Sequence, residues 1–182
     1  MVSDFRRKKL VHMYKFLDKD GSGSIDKKDF QLAAENAVKQ RGWKEGDASY
    51  KECFDTIDMV WNALQKVGDA NNDGEVSADE WVTMWDTISK SEADREWLGQ
   101  YCKFVFKMQD FNNDGFIDSD DYVSAGAIAG TSKEEAVAAF EKLSQGKSKI
   151  TLTDFQKLWD EFFLSEDPNA PGNFIAGKSS FD

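Results

Sequence analysis

Proline is almost missing from this chain of 182 residues: only Pro168 and Pro171 occur, both close to the C-terminal end. Everything before them is free of the strongest helix breaker, so long uninterrupted helices are allowed. Cysteine is scarce as well. Cys53 and Cys102 make no disulfide framework, and a reducing compartment is the simpler setting. There is no long apolar run, and Met1-Val2-Ser3-Asp4 leads at once into the charged stretch Arg6-Arg7-Lys8-Lys9. Neither a secretory signal nor a membrane span is expected, and Val2 in place of glycine excludes an N-myristoylation signal. An excess of basic charge is also lacking. The net charge of −11 argues against nucleic acid and anionic membrane surfaces, and suits a cation or a basic partner. These absences lead to the expectation of a cytoplasmic chain that does not insert into membranes.

What is present is a core-forming, helix-forming composition. Apolar residues make up 40% of the chain, with 14 Phe and 6 Trp, which excludes wholesale disorder. Apolar residues recur at helical spacing in three windows: Phe54, Ile57, Trp61 and Leu64; Trp97, Leu98, Tyr101, Cys102, Val105 and Phe106; Phe155, Leu158, Trp159, Phe162 and Phe163. Ser91-x-x-Asp94 and Thr131-x-x-Glu134 read as capping boxes ahead of such runs. No strand-length alternation stands out. Arg6 to Lys9 reads as a solvated helix face.

The breaks between helices repeat one theme. Asp18-Lys-Asp-Gly-Ser-Gly-Ser-Ile25, Asp69-Ala-Asn-Asn-Asp-Gly-Glu-Val76 and Asp110-Phe-Asn-Asn-Asp-Gly-Phe-Ile117 are each followed four positions on by an acid (Asp29, Glu80, Asp121) and then an aromatic residue (Phe30, Trp81, Tyr122). The first two starts lie 51 residues apart and the next two 41. The longer first interval predicts an extended exit helix or a linker through Arg41-Gly42-Trp43.

Calcium takes six to eight oxygen ligands, and a twelve-residue loop supplies them from positions 1, 3, 5, 7, 9 and 12 around a glycine at position 6. Loop 1 offers Asp18, Asp20, Ser22, the Ser24 carbonyl, Asp26 and Asp29, with Gly23 at the turn. Loop 2 offers Asp69, Asn71, Asp73, the Glu75 carbonyl, Ser77 and Glu80, with Gly74. Loop 3 offers Asp110, Asn112, Asp114, the Phe116 carbonyl, Asp118 and Asp121, with Gly115. Position 9 (Asp26, Ser77, Asp118) acts directly or through water. Position 8 is Ile25, Val76 or Ile117, a β-branched residue suited to a short strand shared with a neighbouring loop. Pairing then requires a fourth loop, and Ile150 with Asp154 and Phe155 provides its skeleton. Counting back, its ligand positions hold Leu143, Gln145, Lys147, Lys149, Thr151 and Asp154. Leucine offers no oxygen and Lys147 places a cation where an anion belongs, so this loop is expected to be structural and metal-free.

Loops 1 and 3 end in Asp where loop 2 ends in Glu, and loop 1 carries Ser22 at position 5. Asp is one methylene shorter and less able to bind through both oxygens. Magnesium, which prefers six ligands at short distances, should therefore compete better in loops 1 and 3. Three divalent ions would bring the net charge from −11 to −5 and relieve self-repulsion.

With these loops in view, the chain resembles the EF-hand superfamily, and within it the invertebrate sarcoplasmic calcium-binding protein and calexcitin group. The resemblance spans nearly the whole chain. Besides the loops it rests on Ser3-Asp4-Phe5, the long first interval, Glu80-Trp81-x-x-Met84-Trp85, Glu96-Trp97-Leu98, the degenerate fourth hand and Gly172-Asn173. It implies an all-α fold of four EF-hand helix–loop–helix units in two packed pairs, with short β-bridges between paired loops. Residues 1–90 would hold hands 1 and 2, and residues 91–182 hands 3 and 4 with a docking tail. The implied role is calcium buffering or signal modulation by a monomer. The alternative is a sensor that exposes an apolar surface to a protein target. Sensors expose Met-rich grooves, whereas this chain has five Met and stripes dominated by Phe and Trp, which favours the buffer.

Other signals are weaker. Gly172-Asn-Phe-Ile-Ala-Gly177-Lys178-Ser179 matches a phosphate-binding loop, but such a loop needs a preceding strand and a following helix, and here prolines precede it and three residues follow. Phe174 and Ile175 are read instead as tail anchors. His12 lacks a catalytic constellation, Cys53 and Cys102 fall in helix stripes, and Trp81, Trp85, Trp97 and Trp159 read as core. No enzymatic activity is expected.

Overall fold

The computed structural model describes residues 2–88, 96–178 and 180–181. In chain order these form α1 (Asp4–Leu17), α2 (Lys27–Arg41), α3 (Ala48–Gly68), α4 (Ala78–Ile88), α5 (Glu96–Gln109), β1 (Phe116–Asp118), α6 (Ser119–Ile128), α7 (Lys133–Ser144), β2 (Lys149–Thr151), α8 (Leu152–Leu164) and a 3₁₀ turn, Pro171–Phe174. The fold is thus almost wholly helical, and the strands are three residues long. The proposed cap at Ser91-x-x-Asp94 lies outside the described residues. Among the described residues, no helix is long and apolar enough to cross a membrane.

The chain divides into two compact units. One is formed mainly by Leu10–Phe104, the other by Ser3–Lys9 with Val105–Asp182. The core of the first is aromatic: Phe30 meets Trp61 at 5.5 Å between centroids, and Trp81 meets Trp85 edge-on at the same distance. Trp81, fully buried, also donates its indole N–H to the Leu10 carbonyl at 2.9 Å. In the second unit Phe106 meets Phe155 edge-on, Phe155 stacks on Trp159, and Phe162 packs on Phe163. Burial of each such side chain contributes roughly 1.5–3 kcal/mol. Cys53 and Cys102 are buried and not joined in a disulfide, as their place in the stripes predicts. The long first interval resolves into a 15-residue α2, a short link and a 21-residue α3. Gly42, at φ 67°, ends α2, and the Trp43 N–H reaches back to the Val38 carbonyl.

Two local expectations need correction. The helix cap ahead of α7 is Ser132, whose hydroxyl accepts from the Glu135 N–H, one residue beyond the Thr131/Glu134 pair. Thr131 is already engaged, because its N–H bonds the Gly126 carbonyl and closes the end of α6. The stretch Arg6 to Lys9 is not a uniformly solvated face. Arg7 and Lys8 are exposed, but Arg6 and Lys9 are buried, Lys9 completely. Arg6 Nε donates to the Phe163 carbonyl at 2.7 Å; Lys9 Nζ donates to the Ser165 carbonyl at 2.8 Å and to Asn173 Oδ1 at 2.7 Å. The two carbonyls lie at and just past the C-terminus of α8, where carbonyls lack intrahelical donors and the helix dipole favours cations. Burial pushes the Lys9 ammonium down to about 8, reinforced by Arg6 and opposed by Glu166 and Glu161.

The tail docks through the segment that resembles a phosphate loop. The Gly172 N–H donates to Glu161 Oε2 at 2.6 Å, and the Gly177 N–H to the Tyr122 hydroxyl at 3.1 Å. A Cβ on Gly172 would lie 2.3 Å from the Leu158 carbonyl, so glycine is required by close packing. Two of the amides that a phosphate would need thus face protein acceptors, one of them an anion. Ile175 and Asn173 are buried, while Phe174 is half-buried.

Candidate metal centres

Each loop starts where a helix ends. Loop 1 follows α1, loop 2 follows α3 and loop 3 follows α5, and the position 1 acid turns its carboxylate over the loop's own amides. Asp18 accepts from the Ser22 and Gly23 N–H groups, both at 3.0 Å. Asp69 accepts from Asp73 and Gly74 at 3.1 and 3.0 Å. Asp110 accepts from Asp114 and Gly115 at 3.1 and 2.9 Å. The same two positions, 5 and 6, are held in all three. The backbone agrees: position 6 is glycine at φ 91°, 91° and 85°, and position 4 is Gly21, Asn72 or Asn113, also left-handed. Those residue types tolerate positive φ, which is why the turn can be written in this sequence.

The position 12 acids close the loops. Asp29 accepts from the Lys19, Asp20 and Asp26 N–H groups at 2.7, 3.1 and 2.9 Å. Glu80 accepts from Ala70 and Asn71 on one oxygen and from the Ser77 N–H and hydroxyl on the other. Asp121 accepts from Phe111 and Asp118, both at 3.2 Å. Positions 9 and 12 are also the N-cap and N3 residues of the exit helix: Asp26 with Asp29 and Asp118 with Asp121 form reciprocal capping boxes. Burial raises the Asp29 and Asp121 carboxyls above the ordinary range against the pull of those amides, while hydrogen bonds from Ser77 lower Glu80.

Paired loops meet at position 8. Ile25 and Val76 exchange backbone hydrogen bonds of 3.0 and 2.8 Å. Ile117 pairs with Ile150 at the centre of the antiparallel β1–β2 ribbon, flanked by Phe116↔Thr151 and Asp118↔Lys149. All four residues at position 8 are buried. The Tyr14 hydroxyl lies against the Gly23 and Val76 carbonyls at 2.9 and 3.0 Å, bracing the first pair.

The donors are all oxygen, with no imidazole or thiolate among them, which suits a hard divalent cation and not zinc or copper. In loop 1, carboxylate oxygens of Asp18, Asp20 and Asp29 lie within 4.8 Å of one another. Loops 2 and 3 place an amide, Asn71 or Asn112, at position 3, whose oxygen accepts from the position 5 N–H at 2.8 Å in both. Loop 4 does not fit an ion. Leu143 is buried at position 1, and the Lys147 ammonium lies 2.8 Å from the Asp154 carboxylate, a tethered cation at the closing acid. Its left-handed residues, Gln145 and Gly146, fall at positions 3 and 4.

Two lysines on the candidate ligands escaped sequence reasoning. Lys28, at position 11 of loop 1, donates to Asp20 at 2.7 Å. Lys149, from loop 4, donates to Asp114 of loop 3. The second was accessible in principle: the Ile117–Ile150 pairing puts Lys149 opposite Asp118, within reach of loop 3.

The EF hand family model matches residues 15–32 and 66–85, which contain loops 1 and 2. The chain is 26% identical to calexcitin-1 of Caenorhabditis elegans over 99% of this chain and 90% of that protein. It is 28% identical to sarcoplasmic calcium-binding protein 1 of Astacus leptodactylus over 94% of each. Among solved structures, a sarcoplasmic calcium-binding protein from amphioxus shares the fold with a TM-score of 0.83, at 24% identity, over 98% of this chain and 99% of that one.

Proposed function

Proceeding from these EF hands, we propose that the chain is a calcium-binding protein with three ion loops and a structural fourth, acting in the cytoplasm as a monomeric buffer or signal modulator, without enzymatic activity. The observation that carries the reading is the loop geometry common to loops 1, 2 and 3: a position 1 carboxylate over the amides of positions 5 and 6, and a position 12 carboxylate reaching back to the start of the loop. A bound calcium ion would supply two positive charges to a ring of acids that otherwise repel. Asp18, Asp20, Ser22, the Ser24 carbonyl and Asp29 would hold it in loop 1. Asp69, Asn71, Asp73, the Glu75 carbonyl and Glu80 would do so in loop 2, and Asp110, Asn112, Asp114, the Phe116 carbonyl and Asp121 in loop 3. The resemblance to calexcitin and sarcoplasmic calcium-binding proteins supports the same reading.

The buffer role is supported by the packing. Met13 and Met84 lie in the core, and Trp81, Trp85, Phe155, Phe162 and Phe163 are almost completely buried. A sensor opens a Met-rich groove on binding, whereas Trp and Phe dominate this core. The shorter Asp29 and Asp121 support magnesium competition in loops 1 and 3.

Calorimetric titration with calcium, with and without magnesium, tests the proposal. Three calcium ions per chain are expected, with magnesium reducing the apparent affinity of two. Fewer than two ions, or tight binding that survives the triple change Asp18→Ala, Asp69→Ala, Asp110→Ala, would overturn it. Calcium-dependent capture on a hydrophobic column would replace the buffer with the sensor.

A further inference from the structure

Loop 4 does more than pair with loop 3. Lys149 stands at position 7 of loop 4, on β2, with Asp118 of β1 as its cross-strand partner. Its side chain crosses the ribbon. The ammonium bonds Asp114, the position 5 acid of loop 3, and lies 5.1 Å from the centre of the Phe116 ring, on the position 7 residue of the same loop. The ring's negative face and the carboxylate both favour a cation there. Asp114 keeps its other oxygen on the Phe116 N–H at 3.0 Å, so Lys149 takes the oxygen that is not committed to the loop's own backbone. Loop 2 differs: the corresponding oxygen of Asp73 meets the neutral Asn71 amide at 2.8 Å.

We propose that Lys149 sets the cation affinity of loop 3, so that the metal-free fourth hand is the affinity-determining partner of the third. The ammonium competes for Asp114 and repels any second cation at the same carboxylate. Loop 3 is thereby held weaker than its own acids would make it, and its affinity depends on ionic strength in a way that loop 2's does not. The inference rests on the reading of loop 3 as an ion site.

The test is an NMR titration of the full chain with calcium, following the amides of Gly23, Gly74 and Gly115, one per loop. In Lys149→Gln, the Gly115 transition should move to about three- to tenfold lower calcium, from the removal of one nearby charge in a solvated setting. The Gly74 transition should stay in place. Lys149→Arg should behave as the native protein, and Lys157→Gln, which changes net charge equally from the surface of α8, should leave Gly115 unmoved relative to Gly74. Added salt should shrink the difference between native and Lys149→Gln. A Gly115 transition unchanged or weakened in Lys149→Gln overturns the proposal while leaving loop 3 as an ion site. No calcium-dependent movement of Gly115 in the native chain would remove the ion site itself.

Discussion

In the first unit, Ile25 and Val76 join two loops that both carry oxygen donors at positions 1, 3, 5 and 12. In the second, Ile117 and Ile150 join one such loop to another whose position 1 is Leu143 and whose position 5 is Lys147. The scaffold is nevertheless repeated. Loop 4 keeps the buried residue at position 8, the aromatic residue after position 12 and the capping box, here Thr151 with Asp154. Asp154 therefore has work at the start of α8 whether or not an ion is near. The comparison separates two layers: positions 8, 9, 12 and 13 build the hand, and positions 1 and 5 are where loop 4 departs from the oxygen donors of the other three.

The largest effects test the building layer. Trp81 and Phe155 follow position 12 in loop 2 and in loop 4, and both are fully buried. Trp81→Ala and Phe155→Ala should each cost about 3–5 kcal/mol in urea unfolding with excess chelator. If Phe155→Ala cost less than about 1 kcal/mol, well below the usual loss for a core aromatic, the fourth hand would not be an equal part of the scaffold.

Leu143→Asp restores the acid at position 1 of loop 4 and should still fail to make a site. Leu143 is 1% exposed, whereas Asp110 at the same place in loop 3 keeps 8%. The change should cost about 2–4 kcal/mol, because a charge replaces a packed side chain. Calcium stoichiometry should not rise, because Lys147 still covers Asp154. A fourth ion in this variant would show that position 1 alone decides.

The second unit also contains the clasp of Arg6 and Lys9 on the end of α8, and Lys9 gives it a pH dependence. Its proton is released near pH 8 in the folded chain, against 10.5 for an ordinary lysine. Below about pH 8 both states are protonated and the contribution is flat. Between 8 and 10.5 the unfolded chain keeps a proton that the folded chain has lost, so stability rises with pH. Chemical unfolding should show a gain of about 1–2 kcal/mol from pH 8 to 10, and Lys9→Met should reduce that slope. A slope identical in the two proteins would mean that Lys9 stays charged on its carbonyl partners throughout.

These results bear on what could be read from the sequence alone. The loops were legible because their signal is local: spacing, the glycine at position 6 and the β-branched residue at position 8 act within twelve residues. The pairing of Ile117 with Ile150 followed from the same pattern. The burial of Arg6 and Lys9 was not legible, because the carbonyls they satisfy lie more than 150 residues away in sequence. Nothing in a basic run says that a helix end will fold over it. The Ser132 cap was missed by one residue, since Thr131 and Ser132 are both good caps and only the hydrogen bond from Thr131 to the end of α6 chooses between them. Lys149 falls between these cases, local in the ribbon and distant in the chain.

The smallest expected effect addresses the difference among the three proposed ion loops themselves. Glu80 is long enough to bond Ala70 and Asn71 on one oxygen and Ser77 on the other, and Asp29 spans the equivalent amides with one methylene fewer. Asp29 is also the more buried of the two, 1% exposed where Glu80 is half-buried. Glu80→Asp should therefore leave the carboxylate short of one set of partners. Calcium, which gains from a second oxygen of the same carboxylate, should lose more than magnesium, which needs only one. The ratio of calcium to magnesium affinity at loop 2, read from the Gly74 amide, should fall by about tenfold, equivalent to about 1.4 kcal/mol. Asp121→Glu should move loop 3 the other way by a similar factor, but only if Lys149 is not the dominant control there. Comparing Asp121→Glu in the presence and absence of Lys149→Gln separates the reach of the closing acid from the charge on Asp114. Additive shifts would mean that the two act on the ion independently, and a shift seen only with Lys149→Gln would mean that the lysine must yield before the closing acid matters.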